Sequence, residues 1–239
     1  MTRNDPLDNP KTVASVIDHT LLKPEATRAD VARICDEARQ FGFVSVCVNP
    51  YWVRFAAELL SDSSVNVGTV VGFPLGANSA STKLGEAQLA LSDGAEQLDI
   101  VQNIGALRSQ EVELVRKEIA DVVALAHSRG AIVKVILETS LLTEQDKITA
   151  CTLAAAAKAD FVKTSTGFST GGATLEDVKL MRKIVGPSVG VKASGGIRTL
   201  DDLRLMVSAG ANRIGTSSGV SIVREISAPE THVRGQGSS

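Results

Sequence analysis

The chain has 239 residues, 44% of them hydrophobic and 22% charged, which suits one packed globular domain and excludes a wholly disordered chain. Twenty-five Lys and Arg against 27 Asp and Glu give a net charge of -2, and aromatics make up only 3%. That balance argues against a nucleic-acid or membrane-surface partner and against a base-stacking platform.

No apolar run approaches the ~20 residues of a membrane span, and the first dozen residues are polar. The reading is a soluble, cytoplasmic protein. Cys35, Cys47 and Cys151 are odd in number and far apart, which argues for reduced, buried thiols rather than a disulfide framework. Cys47 ends a strand-like run, where a thiol can be accessible. His19, His127 and His232 form no ligand cluster, so no metal is expected.

Strands are predicted at 15–20, 43–49, 66–73, 96–103, 131–138, 160–165, 189–194 and 211–216. Most are nearly continuous apolar runs, as in a parallel sheet covered on both faces. The segments between them carry helix starts. Thr-x-x-Asp boxes stand at Thr27/Asp30, Thr143/Asp146, Thr174/Asp177 and Thr199/Asp202, and Asn49-Pro50 marks another start. Gly186-Pro187 and Gly210 read as helix stops.

Three successive units share a strand-borne pair, Val133-Lys134, Val162-Lys163 and Val191-Lys192, at intervals of 29 residues. A doubly wound open sheet is the alternative architecture, but no G-x-G-x-x-G follows the first strand. Eight iterated units favour a single α/β domain, a (β/α)8 TIM barrel over about 13–226, with polar tails at 1–12 and 227–239.

Catalytic groups of such a barrel sit at the C-terminal strand ends, so Asp18, Asp99, Asn103, Lys134, Glu138, Lys163 and Lys192 are candidates. A strand lysine can snorkel outward or pair with a carboxylate such as Glu138. Three lysines converging on one barrel end instead repel one another. Repulsion and burial together can supply the ~4.6 kcal/mol that lowers a lysine from ~10.4 to ~7, and the neutral amine is the nucleophile of Schiff-base chemistry. Glycine- and hydroxyl-rich loops follow strands six to eight: Ser165-Thr166-Gly167, Ser194-Gly195-Gly196 and Gly215-Thr216-Ser217-Ser218. Loops after strands seven and eight are the usual phosphate cradle of this architecture.

IDHTLLKP (17–24), VCVNP (46–50), VVGFPLG (70–76), LDIVQNIGAL (98–107), VKVILET (133–139), FVKTSTGF (161–168) and GVKASGGIRT (190–199) together closely resemble the deoxyribose-phosphate aldolase family, class I aldolases with a (β/α)8 fold. The resemblance implies an aldehyde-lyase that cleaves 2-deoxy-D-ribose 5-phosphate to D-glyceraldehyde 3-phosphate and acetaldehyde with no metal or organic cofactor. It implies that Lys163 forms the Schiff base, that Lys192 perturbs it and moves protons, and that Asp99 is the acid/base. Gly167, Gly195, Gly196, Ser217 and Ser218 match the phosphate loops, and Asp18 and Lys134 match polar positions behind the reacting groups. The partners implied are a small-molecule sugar phosphate and aldehydes, and a homodimer is the family-level expectation.

Two departures stand out. Phe168 occupies the position after TSTG where some members carry lysine, and the tail lacks the tyrosine some members have, since Tyr51 is the only one. Two other readings stay open: a transaldolase-like Schiff-base barrel, and a sugar-phosphate-binding barrel without catalysis.

Overall fold

The computed structural model describes residues 6–227. Its strands are β1 (Ile17–Leu21), β2 (Ser45–Val48), β3 (Asn66–Val71), β4 (Gln97–Val101), β5 (Ile132–Ile136), β6 (Phe161–Lys163), β7 (Gly190–Ser194) and β8 (Arg213–Thr216). They pair in parallel in chain order and close β8 onto β1 as a barrel. Every predicted strand is present. β6 is shorter than expected and stops at Lys163, although Thr164 N–H still donates to Lys192 O at 3.1 Å.

Strand alternation sorts the side chains. Val46, Val67, Leu98, Val133, Val162, Val191 and Ile214 face outward and join the large apolar cluster shared with the helices. The other parity carries Asp18, Ser45, Gln97, Asp99, Lys134, Lys163, Lys192 and Arg213, whose bonds join both neighbouring and non-adjacent strands. The barrel interior is therefore largely polar, with a small apolar group of Leu22, Cys47 and Val70 separate from the large cluster. Glycines make this filling fit. A Cβ on Gly190 would collide with the Phe161 ring, and one on Gly215 would lie 2.9 Å from Lys192 Cε.

The helices begin largely where the Thr-x-x-Asp boxes place them. Thr27, Thr143 and Thr199 form reciprocal capping boxes with Asp30, Asp146 and Asp202. At the fourth, Thr174 accepts from Asp177 N–H, but the Asp177 carboxylate accepts from Lys147 Nζ at 2.5 Å instead of returning to the cap. Asn49 makes no side-chain cap bond. Its Nδ2 donates to Leu22 O at 3.1 Å, and a 3-10 turn over Pro50–Trp52 precedes the helix Val53–Leu60.

Residues 6–12 are not a loose tail. Pro6–Asp8 form a 3-10 turn, Asn9 caps the helix Pro10–Ala14, and Arg204 donates to Asp8 at 2.6 Å. The tail from 228 onward, with its missing tyrosine, lies outside the described residues.

A buried ion pair joins the helices Ala80–Ser92 and Val112–His127. Lys83 Nζ donates to Glu118 Oε1 at 2.7 Å and to Val101 O at 2.9 Å. All three cysteines are free and buried, as expected, Cys47 included. Burial pushes the Cys35 and Cys151 thiols up, to about 11 and about 12. Among the described residues no helix is long and apolar enough to cross a membrane.

Candidate active site

Pairing register places the charged residues of neighbouring strands side by side. Asp99 lies beside Lys134, Lys163 beside Lys192, and Lys192 beside Arg213. Barrel closure adds Asp18 from β1. Asp99 is the hub. Its Oδ2 accepts from Lys163 Nζ and from Lys192 Nζ, each at 2.8 Å, and its Oδ1 accepts from Lys134 Nζ at 2.9 Å. Lys192 Nζ is also 2.5 Å from Asp18 Oδ2. Asp18 Oδ1 accepts from Ser45 Oγ at 2.7 Å and from Arg213 at 2.8 Å.

Five candidates from the sequence, Asp18, Asp99, Lys134, Lys163 and Lys192, thus meet in one network, none more than 3% exposed. Glu138 pairs with none of the three lysines. It binds the loop after β6 instead. Asn103 caps the short helix Ile104–Arg108.

Three lysines and one arginine face two aspartates here, and the cationic excess sets the protonation pattern. Burial opposes the charged form of Lys163 and lowers its pKa; Lys192 pushes the same way, and Asp99 only partly opposes them. Burial also works against Lys192, but Asp18 and Asp99 override it and hold that ammonium well above the ordinary lysine range. Burial would raise both carboxyl groups, yet Asp99 is held well below its usual range by Lys134, Lys163 and Lys192. Asp18 is likewise held down by Lys192, Lys134 and Arg213. One buried amine is pushed toward neutrality beside one that stays charged.

A cleft of about 420 Å³ opens at the C-terminal strand ends. Of the five clustered residues only Lys163 lines it. Gly167, Gly195, Gly196, Ser217 and Ser218 line it as well. The three glycines take φ values of 85°, 88° and 85°, a conformation that favours residues without a Cβ. Ser217 and Ser218 immediately precede the helix Gly219–Ser227. The Ser218 amide is already engaged, donating to Thr216 Oγ1 at 2.9 Å, so from that residue the hydroxyl rather than the N–H is available.

Sequence reasoning singled out Ser194 as part of a hydroxyl-rich loop but not two further lining residues, Lys23 and Arg198. The Ser194 hydroxyl is buried without a partner, and Lys23 and Arg198 stand exposed on the rim. Position alone signals the two cations: they lie on the loops that follow β1 and β7. Phe168, where some family members carry lysine, packs edge-on against Phe73 at 5.3 Å. A groove of similar size, about 450 Å³, lies on the outer helices around Tyr51, Trp52 and Phe55, away from the strand ends.

Comparison with known proteins agrees with this geometry. Residues 12–228 match the DeoC/LacD family aldolase model. A deoxyribose-phosphate aldolase from Thermococcus gammatolerans is 60% identical over 213 residues, 88% of this chain and 95% of the relative. One from Thermococcus kodakarensis is 58% identical over 217 residues, 90% of this chain and 97% of the relative. Among solved structures, the tetrameric deoxyribose phosphate aldolase from Aeropyrum pernix superposes with a TM-score of 0.87 at 38% identity, covering 95% of this chain and 99% of that one. A closed eight-stranded barrel, a buried lysine pair at its C-terminal end and these similarities converge: the chain belongs to the DeoC/LacD family of aldolases.

Proposed function

We propose that this aldolase reversibly cleaves 2-deoxy-D-ribose 5-phosphate to D-glyceraldehyde 3-phosphate and acetaldehyde through a Schiff base on Lys163. One observation carries the reading. Lys163 is the only member of the buried Lys/Asp network that reaches the cleft, and it faces glycine loops suited to a phosphate. The names of the relatives supply the substrate.

The steps follow from the protonation pattern. Neutral Lys163 Nζ attacks the aldehyde carbon C1, and the carbinolamine loses water to give an iminium ion. A base takes the proton of the 3-hydroxyl, and the C2–C3 electron pair moves toward the iminium nitrogen. The bond breaks, leaving an enamine on Lys163 and releasing glyceraldehyde 3-phosphate. Protonation of the enamine at C2 and addition of water then free acetaldehyde and restore the amine.

Asp99 joins Lys163 to Lys192 through one oxygen. To that pair, with a water, we assign the proton movements. The Lys192 ammonium also favours the neutral form of Lys163 and so promotes attack. Lys134 and Asp18 hold Asp99 and Lys192 in place. Gly167, Gly195, Gly196, Ser217 and Ser218 bind the phosphate, fixing C1 over the amine. The same reading takes the substrate from the free sugar phosphates of the cytoplasm and the assembly to be a homodimer.

The test is product analysis. Purified protein given 2-deoxy-D-ribose 5-phosphate should release acetaldehyde and glyceraldehyde 3-phosphate in equal amounts. Cleavage of ketose phosphates without acetaldehyde would favour a transaldolase-like enzyme, and binding without turnover a non-catalytic barrel.

A further inference from the structure

Glu138 is a buried acidic side chain that the chemistry above leaves without a task. It follows β5 at φ 58° and ψ 63°, in the left-handed region, where a Cβ is disfavoured and glycine is at ease. The chain nevertheless carries a glutamate there, only 1% exposed. Its side chain has a definite target. Thr166 Oγ1 donates to Glu138 Oε2 at 2.5 Å, and Thr166 N–H donates to the same oxygen at 3.2 Å.

Thr166 passes the constraint along the loop. Its Oγ1 accepts from Phe168 N–H at 3.1 Å, so the turn through Gly167 is tied at both ends. Farther on, Ala173 N–H donates to Gly195 O at 3.0 Å, which links this loop to the one after β7. Thr166, Gly167 and Phe168 all line the cleft together with Lys163. Among the described residues the Thr166 hydroxyl bonds only Glu138 and Phe168 N–H, so the carboxyl group is the main anchor of this turn to the barrel.

We propose that Glu138 is a positioning residue for the phosphate end of the substrate. Its carboxyl group clamps Thr166, so the Gly167 amide is already in place when the sugar phosphate arrives. A loop ordered during folding does not have to be ordered during binding, and its donors then favour affinity in full. This also accounts for a glutamate where backbone geometry favours glycine: glycine would relax the turn but release the loop. The inference rests on the reading of Gly167 as part of the phosphate cradle.

The test compares Glu138→Gln, Thr166→Val and the double variant on 2-deoxy-D-ribose 5-phosphate and on unphosphorylated 2-deoxy-D-ribose. Each single change should raise KM for the phosphorylated sugar about tenfold, the size expected for one charge-assisted hydrogen bond. Inhibition by inorganic phosphate should weaken in parallel. The kcat/KM for deoxyribose should stay within about twofold and the acid limb of its pH profile should not move, because the lysine network is untouched. The double variant should lose no more than either single, since one clamp is broken only once.

Equal losses on both substrates, additive losses in the double variant, or an unchanged KM would each overturn the clamp. Should Glu138→Gln not fold, Thr166→Val alone decides by the same criteria. Ser218→Asp separates the two readings. A selective KM rise in Ser218→Asp with none in Glu138→Gln removes the clamp and keeps the cradle, whereas no selective effect in Ser218→Asp removes the cradle itself.

Discussion

Replacing Lys192 by leucine removes one of the two ammonium groups that share Asp99 Oδ2. Both nitrogens lie 2.8 Å from that oxygen, so they are at most twice that distance apart. At ~5 Å and an effective dielectric of ~20, the repulsion is about 3 kcal/mol, or roughly two pKa units. Burial, the larger cause of the lowered Lys163 pKa, remains in the variant. Asp99 meanwhile loses one of its three compensating cations and pulls harder on Lys163. Both changes act in one direction, so the pKa of Lys163 rises toward the ordinary lysine value.

The reactive form is the neutral amine, whose fraction grows as the pH rises through that pKa. The acid limb of kcat/KM should therefore move to higher pH by about one to two units in Lys192→Leu. Lys192→Arg keeps the charge, so its limb should stay near the wild-type position while the rate falls, because guanidinium does not give up a proton near neutrality. The assay is the pH profile of kcat/KM for all three proteins, with borohydride trapping to check that the Schiff base still forms. An unshifted limb in Lys192→Leu, with trapping intact, would refute the reasoning and leave burial as the sole cause.

Three further outcomes are expected. Ser218→Asp should raise KM for the phosphorylated sugar about tenfold or more through like-charge repulsion and leave unphosphorylated deoxyribose nearly unaffected, as steady-state kinetics on both sugars will show. Lys83→Met should cost about 3–5 kcal/mol in urea denaturation by stranding Glu118, and Lys83→Met with Glu118→Leu should recover most of that loss. Asp18→Asn should lower stability at neutral pH. Because folding depresses the Asp18 pKa, its contribution is complete above about pH 4 and fades as the pH falls toward the folded-state value, so the gap to wild type should narrow in acid.

Much of the architecture was legible because the relevant signals are local. The Val-Lys pairs recur at one interval, and equal spacing along iterated units puts their side chains on the same face, Lys163 in register with Lys192 and Lys134 two residues off. Lys134, Lys163 and Lys192 do meet inside the barrel. Three of the four Thr-x-x-Asp boxes close as capping boxes, a contact made within four residues. The fourth was diverted by Lys147, from the preceding helix, which no local pattern reveals.

What stayed hidden depends on closure and packing. Asp18 meets Lys192 only because β8 returns to β1, so their pairing has no trace in spacing. Lys83 and Glu118 look like surface residues of two amphipathic helices, and only the packing of those helices buries them together. The apolar runs concealed which strand parity faces inward, since valines on the outer face read like a core. Lys23 and Arg198 stayed hidden because single cations on loops are common and only the cleft distinguishes these.

The central claim is that Lys163, alone among the buried lysines, becomes covalently bound to substrate. Its most direct test is borohydride reduction in the presence of 2-deoxy-D-ribose 5-phosphate, followed by peptide mass spectrometry. The peptide carrying Lys163 should gain the mass of a reduced two-carbon or deoxyribosyl-phosphate adduct, and Lys163→Leu should gain none. Adduct on Lys134 or Lys192 in the wild type, or undiminished labelling in Lys163→Leu, would contradict the account.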